Sequence, residues 1–116
     1  MIHGRGGSAE DILSLAEFLD VTDFALLAPQ AFNNSWYPNS FLAQPRDNEP
    51  ALSNALNTID DLVNEIQIGG IVKENIFFLG FSQGACLALE YATRHAVLYG
   101  GIVAFTGGLI GDRIYL

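Results

Sequence analysis

The chain has 116 residues, of which half are apolar and 16% are charged. This length fits one domain, and the apolar content excludes a disordered chain. The 13 acidic and 5 basic residues give a formal net charge of −8. Such an excess of negative charge would repel phosphates, which argues against nucleic acid as a partner.

The sequence contains no apolar run of the 18 or more residues that a membrane span needs, and its N-terminus lacks the pattern of a secretory signal. Its single cysteine, Cys86, cannot form an internal disulfide. That fits a reducing compartment. We therefore expect a cytoplasmic protein without a membrane span.

A glycine-rich loop is the first element predicted along the chain. Residues 3–7 read His-Gly-Arg-Gly-Gly after a two-residue apolar stub, and glycine allows backbone angles that other residues avoid. Ser8 stands three residues before Asp11 in the arrangement of a capping pair, and apolar residues then recur at helical spacing. This pattern predicts a helix over residues 8–20.

A buried strand and a long loop are predicted next. Residues 24–28 form a short, continuous apolar run that Pro29 ends, which is typical of a strand buried on both faces of a parallel sheet. Residues 30–49 are rich in Asn, Ser, Pro and aromatic residues and show no sustained period. We expect a long loop there, centred on Trp36, and long loops in compact domains are often functional.

The second half of the chain alternates helices and strands. Pro50 suits the first turn of a helix whose apolar face continues to a closing glycine pair at residues 69–70. Residues 76–79 and 101–105 are predicted strands, and an alanine- and leucine-rich helix that ends near His95 connects them. This alternation predicts an α/β fold with a mostly parallel sheet and flanking helices.

A serine motif lies where the first of these strands meets its helix. Residues 80–84 read Gly-Phe-Ser-Gln-Gly and match G-x-S-x-G, in which a sharp strand-to-helix turn exposes a serine hydroxyl. Glycine is needed because side chains at Gly80 and Gly84 would collide with the neighbouring strand or helix. The helix after Ser82 also points its free N–H groups and positive dipole end toward the reacting oxygen. Ser82 is therefore the candidate nucleophile, and a plain glycine-rich turn is the alternative.

The loop at residues 3–7 is a candidate for stabilising negative charge during acyl transfer. It follows a strand end and precedes a helix, so its flexible backbone could turn an N–H toward a substrate carbonyl oxygen. Each such donor contributes about 3 to 4 kcal/mol to acyl transfer.

Together the two motifs resemble the phospholipase/carboxylesterase family of α/β-hydrolases, which includes acyl-protein thioesterases and small bacterial carboxylesterases. The resemblance covers nearly the whole chain, and its most specific part is Gly-Phe-Ser-Gln-Gly-Ala at residues 80–85. The other matching stretches are the loop at residues 3–7, Ala28-Pro29, Ser-Trp-Tyr-Pro at residues 35–38, and Gly107-Gly108. The resemblance implies a partial α/β-hydrolase fold.

The resemblance also implies a chemistry. Ser82 would be the nucleophile, the backbone N–H groups of Arg5 and Gln83 would form the oxyanion hole, and Trp36 would border the acyl pocket. The reaction would be hydrolysis of a small-molecule ester or thioester through an acyl-enzyme, with no metal and no cofactor. The alternatives are that Arg5 is a solvated loop residue and that Trp36 is ordinary packing beneath a long loop.

Neither histidine of the chain fits the role of catalytic base. A serine nucleophile needs a histidine and an orienting carboxylate, and in α/β-hydrolases both follow the serine in the chain. His3 precedes Ser82 and is expected to be a hydrogen-bonded structural group. His95 lies 13 residues beyond Ser82, and a helix of that length would hold it about 20 Å away. Asp112 is the only late acid, and it has no histidine to orient.

We therefore expect residues 1–116 to be an incomplete α/β-hydrolase domain, an N-terminal portion that lacks the C-terminal acid and histidine segments. Such a chain alone would have negligible esterase activity. One alternative is a non-catalytic remnant that acts as a binding or interaction module through an exposed sheet edge. Another is an esterase assembled from two chains. Exposed sheet edges also make self-association an expected property.

Overall fold

A computed structural model describes residues 1–114. Residues 115 and 116, the end of the predicted domain, lie outside the described residues. The helices are α1 (Ala9–Leu13), α2 (Ala51–Ile68) and α3 (Gln83–Arg94), and the strands are β1 (Phe77–Phe81) and β2 (Gly101–Phe105). Short 3₁₀ turns occur at Ser14–Phe18, Phe32–Asn34, Pro45–Asn48 and Lys73–Asn75.

The sheet is parallel, and helix α3 connects its two strands. β1 and β2 pair in register, from Phe77 beside Gly101 to Phe81 beside Phe105. Ile2 adds an isolated parallel bridge to Gly80 on the other edge of β1. The predicted α/β architecture with a mostly parallel sheet and flanking helices is confirmed, and β2 has the predicted bounds.

The strand predicted at residues 24–28 is absent from the described structure. The segment bonds to the chain beside it through the Met1 amino group, which donates to the Leu27 carbonyl at 2.8 Å. No strand pairs with residues 24–28 in the described structure, and a β-strand requires a partner of similar length. The side chains of residues 24–27 are exposed, with Phe24 at 46%. The prediction of three parallel strands was therefore wrong by one strand.

The helix predicted over residues 8–20 is shorter than expected. Ser8 caps it as predicted, its Oγ accepting a hydrogen bond from the Asp11 N–H at 3.1 Å. The α-helix ends at Leu13 and continues as the 3₁₀ turn. Ile12 is the only buried residue of these two elements, and short helices depend on tertiary packing rather than on propensity.

Helix α2 forms the main apolar layer against α3. It ends at Ile68, before the predicted closing glycine pair, and Pro50 precedes it as the N-cap rather than lying in its first turn. Its buried face consists of Leu52, Ala55, Leu56, Ile59 and Val63. This face packs in one core with residues of β1 and α3 that include Phe78, Leu87 and Tyr91. No helix within residues 1–114 combines the length and apolarity needed to cross a membrane.

Two glycines allow α3 to lie directly on the backbone of its neighbours. A Cβ atom at Gly80 would lie 2.7 Å from the Ala85 Cα. A Cβ atom at Gly84 would lie 2.6 Å from the carbonyl carbon of Ile2. Both separations are far below van der Waals contact, so the predicted steric requirement for glycine is confirmed. The start of α3 is thereby held against the segment that leads into the glycine loop.

We predict that Gly84→Ala lowers the free energy of unfolding by about 3 kcal/mol or more, because the new methyl group would overlap backbone atoms that cannot move away. Urea denaturation measures the change. Gly69→Ala is the matched control, since Gly69 has an ordinary φ of −71° and its nearest neighbouring atom is the Ile66 carbonyl oxygen, at 3.3 Å. Equal stability of the two variants would contradict the prediction.

Candidate active site

Ser82 forms the whole connection between β1 and α3. Its φ of 55° and ψ of −115° belong to a region that non-glycine residues rarely occupy. Its N–H donates to the Phe105 carbonyl at 2.8 Å, and its own carbonyl accepts from the Cys86 N–H at 3.1 Å. Both strands and the first turn of α3 therefore fix the strained backbone. The residue is exposed, as a nucleophile must be.

The glycine loop lies directly beside Ser82. A Cβ atom at Gly4 would lie 3.4 Å from the Ser82 Cβ and 3.0 Å from the Phe81 carbonyl oxygen. Arg5 follows in the chain, and Gln83 is the first residue of α3. Within residues 1–114, the backbone N–H groups of Arg5 and Gln83 donate no hydrogen bond to a protein acceptor. Two amide donors at the turn are thus available to a substrate oxygen, and their catalytic role stays a prediction.

His3 has a structural role in the loop. It is 1% exposed, and its Nε2 accepts a hydrogen bond from the Ala31 N–H at 3.0 Å. That nitrogen therefore carries no proton, and Nδ1 is the donor to the Gly4 carbonyl at 2.8 Å. With both ring nitrogens engaged, His3 cannot serve as the base for Ser82. It instead ties the loop to the start of the 3₁₀ turn at Phe32–Asn34.

Trp36 packs beneath the loop. The side chain is 5% exposed, and its indole N–H donates to the His3 carbonyl at 2.9 Å. Its ring also contacts the His3 ring, with 5.0 Å between centroids. These contacts support the packing interpretation, and the expectation that Trp36 borders a substrate pocket stays a prediction.

The Gln83 side chain has a role that the sequence analysis missed. It is 5% exposed, and its Oε1 accepts from the Trp36 N–H at 2.8 Å. Its Nε2 donates to the Tyr37 carbonyl, also at 2.8 Å. The amide therefore joins the start of α3 to the long loop at two successive residues. A polar side chain in the apolar first turn of a buried helix was the available signal.

The Arg5 side chain binds the same stretch of loop. Its guanidinium donates from Nη1 to the Ser35 Oγ at 3.1 Å and to the Pro38 carbonyl at 3.1 Å. Nη2 donates to the Asn39 carbonyl at 2.9 Å. The group also lies over the Tyr37 ring, 5.9 Å from its centroid. Arg5 is thus exposed but engaged, and not the solvated loop residue of the alternative reading.

Tyr37 is buried behind the site and cannot act as a base. Its hydroxyl has no hydrogen-bond partner within residues 1–114, and the buried thiol of Cys86 lies next to it. Burial raises the pKa of Tyr37 above its ordinary value, with the Cys86 thiol a smaller cause. The phenol therefore stays protonated at neutral pH.

His95 lies at the opposite end of α3 from Ser82. The two residues flank the 12-residue helix and are 13 positions apart, which at 1.5 Å per residue separates them by about 20 Å. The His95 ring stacks on Tyr91 at 4.3 Å between centroids, and its Nε2 lies 3.8 Å from an Asp60 carboxylate oxygen. Asp112 is exposed in the segment after β2. Neither of the chain's two histidines is placed to take the Ser82 proton.

A separate apolar cavity of about 590 Å³ lies between the irregular segment of residues 19–29, helix α2 and strand β1. Neither Ser82 nor any residue of the glycine loop lines it. Its lining within residues 1–114 includes no serine, threonine, cysteine or histidine, so its size does not make it the reactive centre. The candidate active site is the turn at Ser82.

Comparison with known proteins agrees with this geometry. A family model described as phospholipase/carboxylesterase matches residues 2–114. The crystal structure of a phospholipase/carboxylesterase from Dyadobacter fermentans DSM 18053 is 57% identical and superposes with a TM-score of 0.98. The match covers 99% of this chain and 55% of that one.

Curated relatives are more distant. NocK of Nocardia uniformis subsp. tsuyamanensis, which is named as an esterase, is 26% identical over 113 residues. An uncharacterized hydrolase of Schizosaccharomyces pombe is 26% identical over 125 residues. Each match covers 94% of this chain but only 32% and 52%, respectively, of the relative. The chain therefore spans about half the length of these proteins or less.

The backbone strain at Ser82 leads to a stability prediction. Ser82→Gly should be about 1 kcal/mol more stable than Ser82→Ala, because glycine tolerates a positive φ and this gain exceeds its larger entropy loss on folding. Urea denaturation of the two variants measures the difference, and neither carries the hydroxyl. A glycine variant no more stable than the alanine variant would show that the turn is unstrained.

Proposed function

The chain belongs to the phospholipase/carboxylesterase family, and on that basis we propose that the whole protein hydrolyses carboxylic esters or thioesters through an acyl-enzyme formed on Ser82. One observation carries the proposal. Ser82 is an exposed serine on a strained strand-to-helix turn, with the glycine loop against its Cβ. A strained, solvent-facing serine in this position has no packing role to explain it.

The proposed reaction begins with attack of the Ser82 Oγ on the substrate carbonyl carbon, while a base takes the hydroxyl proton. The carbonyl oxygen becomes an oxyanion and accepts hydrogen bonds from the backbone N–H groups of Arg5 and Gln83. Collapse of the tetrahedral intermediate releases the alcohol or thiol, which takes the proton from the base. Water then hydrolyses the acyl-enzyme and restores the serine.

The base must come from outside the described site, because His3 and His95 both have other partners. We propose that a histidine and its orienting carboxylate lie in the part of the full-length protein that corresponds to the remaining length of the relatives. A partner chain that supplies them is the other source. No metal or cofactor takes part in the proposed reaction, and the expected cytoplasmic location stays a prediction.

We propose neutral or apolar acyl esters as the substrate class. The net charge of −8 disfavours anionic substrates, and the long loop and the segment after β2 carry exposed apolar side chains. Phe32 and Leu42 in the long loop, and Leu109 after β2, are exposed at 87%, 62% and 44%. These residues offer apolar surface to an acyl chain or an alcohol group.

Exposed apolar side chains on the sheet favour a second candidate function, a non-catalytic interaction module. Phe77 and Phe81 of β1 and Val103 of β2 are exposed at 52%, 49% and 48%. Surfaces of this kind bind other protein segments or copies of the same chain. Self-association stays a prediction.

Turnover by the full-length protein separates the two candidates. We expect p-nitrophenyl ester hydrolysis that Ser82→Ala lowers by about a millionfold in kcat, since loss of the nucleophile removes the covalent route. Ser14→Ala, at an exposed serine in the 3₁₀ turn, is the matched control and should retain full activity. The 116-residue chain alone should show negligible turnover. Full-length hydrolysis that survives Ser82→Ala would contradict the proposal, and absence of hydrolysis would favour the interaction module.

Substrate charge gives an independent test. We expect kcat/KM for a neutral p-nitrophenyl butyrate to exceed that for an anionic p-nitrophenyl hemisuccinate by about tenfold or more, because the acidic protein repels the second ester. The ratio should narrow as sodium chloride is raised from 0.01 to about 1 M, where the screening length falls to about 3 Å. A ratio that is near one, or that does not change with salt, would contradict the assigned substrate class.

A further inference from the structure

The two amide donors proposed for the oxyanion hole belong to separate parts of the chain. Arg5 lies in the glycine loop and Gln83 begins α3. In the part of the chain that the structure describes, no hydrogen bond joins these two residues directly. Catalysis nevertheless requires both N–H groups to lie about 3 Å from one oxygen atom. The backbone contact of Gly84 with Ile2 brings the two segments together, and side-chain contacts add to it.

Residues 35–39 contact both donor residues. The Arg5 guanidinium binds Ser35, Pro38 and Asn39, while the Gln83 amide binds the two residues between them, Trp36 and Tyr37. These are the side chains of the same two residues whose backbone N–H groups are the proposed oxyanion donors. Each donor residue is therefore anchored to one common segment.

Ser35 completes a continuous hydrogen-bonded path between the donors. Its Oγ accepts from Arg5 at 3.1 Å and donates to the Tyr37 carbonyl at 3.0 Å. That same carbonyl accepts from the Gln83 Nε2 at 2.8 Å. The path runs from Arg5 through Ser35 and the Tyr37 carbonyl to Gln83, so a displacement at one end is transmitted to the other.

The segment is itself held firmly enough to act as a support. The side chains of Trp36 and Tyr37 are 5% and 2% exposed, and the Trp36 indole N–H is bonded to the His3 carbonyl. At the other end, the Asn39 N–H donates at 2.7 Å to the side chain of Asn48, which is fully buried. Close packing of this kind resists small shifts.

We propose that residues 35–39 form an oxyanion brace, in which the side chains of Arg5 and Gln83 act as positioning groups that fix the spacing of their own backbone N–H donors. This inference rests on the proposed function, because it assigns a task to the same site. It predicts that side chains remote from the reacting atoms control transition-state stabilisation without contributing to substrate affinity.

Arg5→Met and Gln83→Met in the full-length protein test the brace, since both keep the backbone N–H and remove the side-chain hydrogen bonds. We expect kcat to fall about 10- to 100-fold with KM changed less than threefold, because a donor displaced by a fraction of an ångström is lost mainly in the transition state. Affinity for phenylboronic acid, which forms a tetrahedral adduct with serine, should fall in parallel with kcat. Arg5→Lys keeps the positive charge but loses the two-nitrogen geometry of the guanidinium. Its kcat should lie between those of the unmutated protein and Arg5→Met.

The double variant tests whether one segment serves both donors. If it does, the fold-loss in kcat for Arg5→Met with Gln83→Met should be well below the product of the single losses. Arg94→Met and Gln67→Met are matched controls on exposed helix positions, and they should retain the kcat and boronic acid affinity of the unmutated protein.

Several results would overturn the brace. One is an Arg5→Met variant with unchanged kcat, and Arg5 is suited to this test because it is exposed and its replacement buries no unpaired group. Others are a fall in kcat without a matching fall in boronic acid affinity, and losses that multiply in the double variant. If the unmutated full-length protein shows no Ser82-dependent turnover, both the brace and the proposed function fail. If it is active and the variants match it, only the brace fails.

Discussion

The close approach of three backbone segments at one turn is the constraint on which the rest of the structure depends. Strand β1 ends at Phe81, α3 begins at Gln83, and the chain at Ile2–Gly4 lies against both. No side chain fits at Gly80 or Gly84. The connection must therefore be made by one residue with a strained backbone, and that residue is an exposed serine. The packing that stabilises the fold therefore also exposes the candidate nucleophile.

The parts of the fold that the sequence predicted well are those that a local apolar pattern defines. Helix α2 follows a regular apolar stripe, and β2 is a continuous apolar run, so their bounds could be predicted from local patterns. The segment at residues 24–28 has the same kind of run, yet a strand also requires a partner of similar length. Sequence periodicity carries no information about that partner, which explains why a strand was predicted that does not form. Likewise α1 is shorter than its periodicity predicts, because little of it packs against the rest of the chain.

In the candidate site, too, local motifs could be predicted and contacts between distant residues could not. The glycine-serine motif located Ser82, and the glycine loop located the second donor, because each motif is contiguous in sequence. The side-chain tasks of Gln83 and Arg5 could not be predicted, since their partners lie 47 and 34 residues away in the chain. His3 could be recognised as structural only in general terms. Its hydrogen bond to Ala31, 28 residues away in the chain, could not be predicted from the sequence.

Cys86 gives the turn a built-in chemical reporter. Its thiol is 2% exposed, it accepts a contact from the Gly108 N–H at 3.4 Å, and its own N–H is bonded to the carbonyl of Ser82. Alkylating reagents can reach the buried sulfur only when its surroundings open, either at Gly108 after β2 or at Tyr37 in the long loop. The rate at which Cys86 reacts with iodoacetamide therefore measures how often the structure around it opens. This signal comes from the first turn of α3, next to Ser82, whereas a global unfolding signal comes from the whole chain.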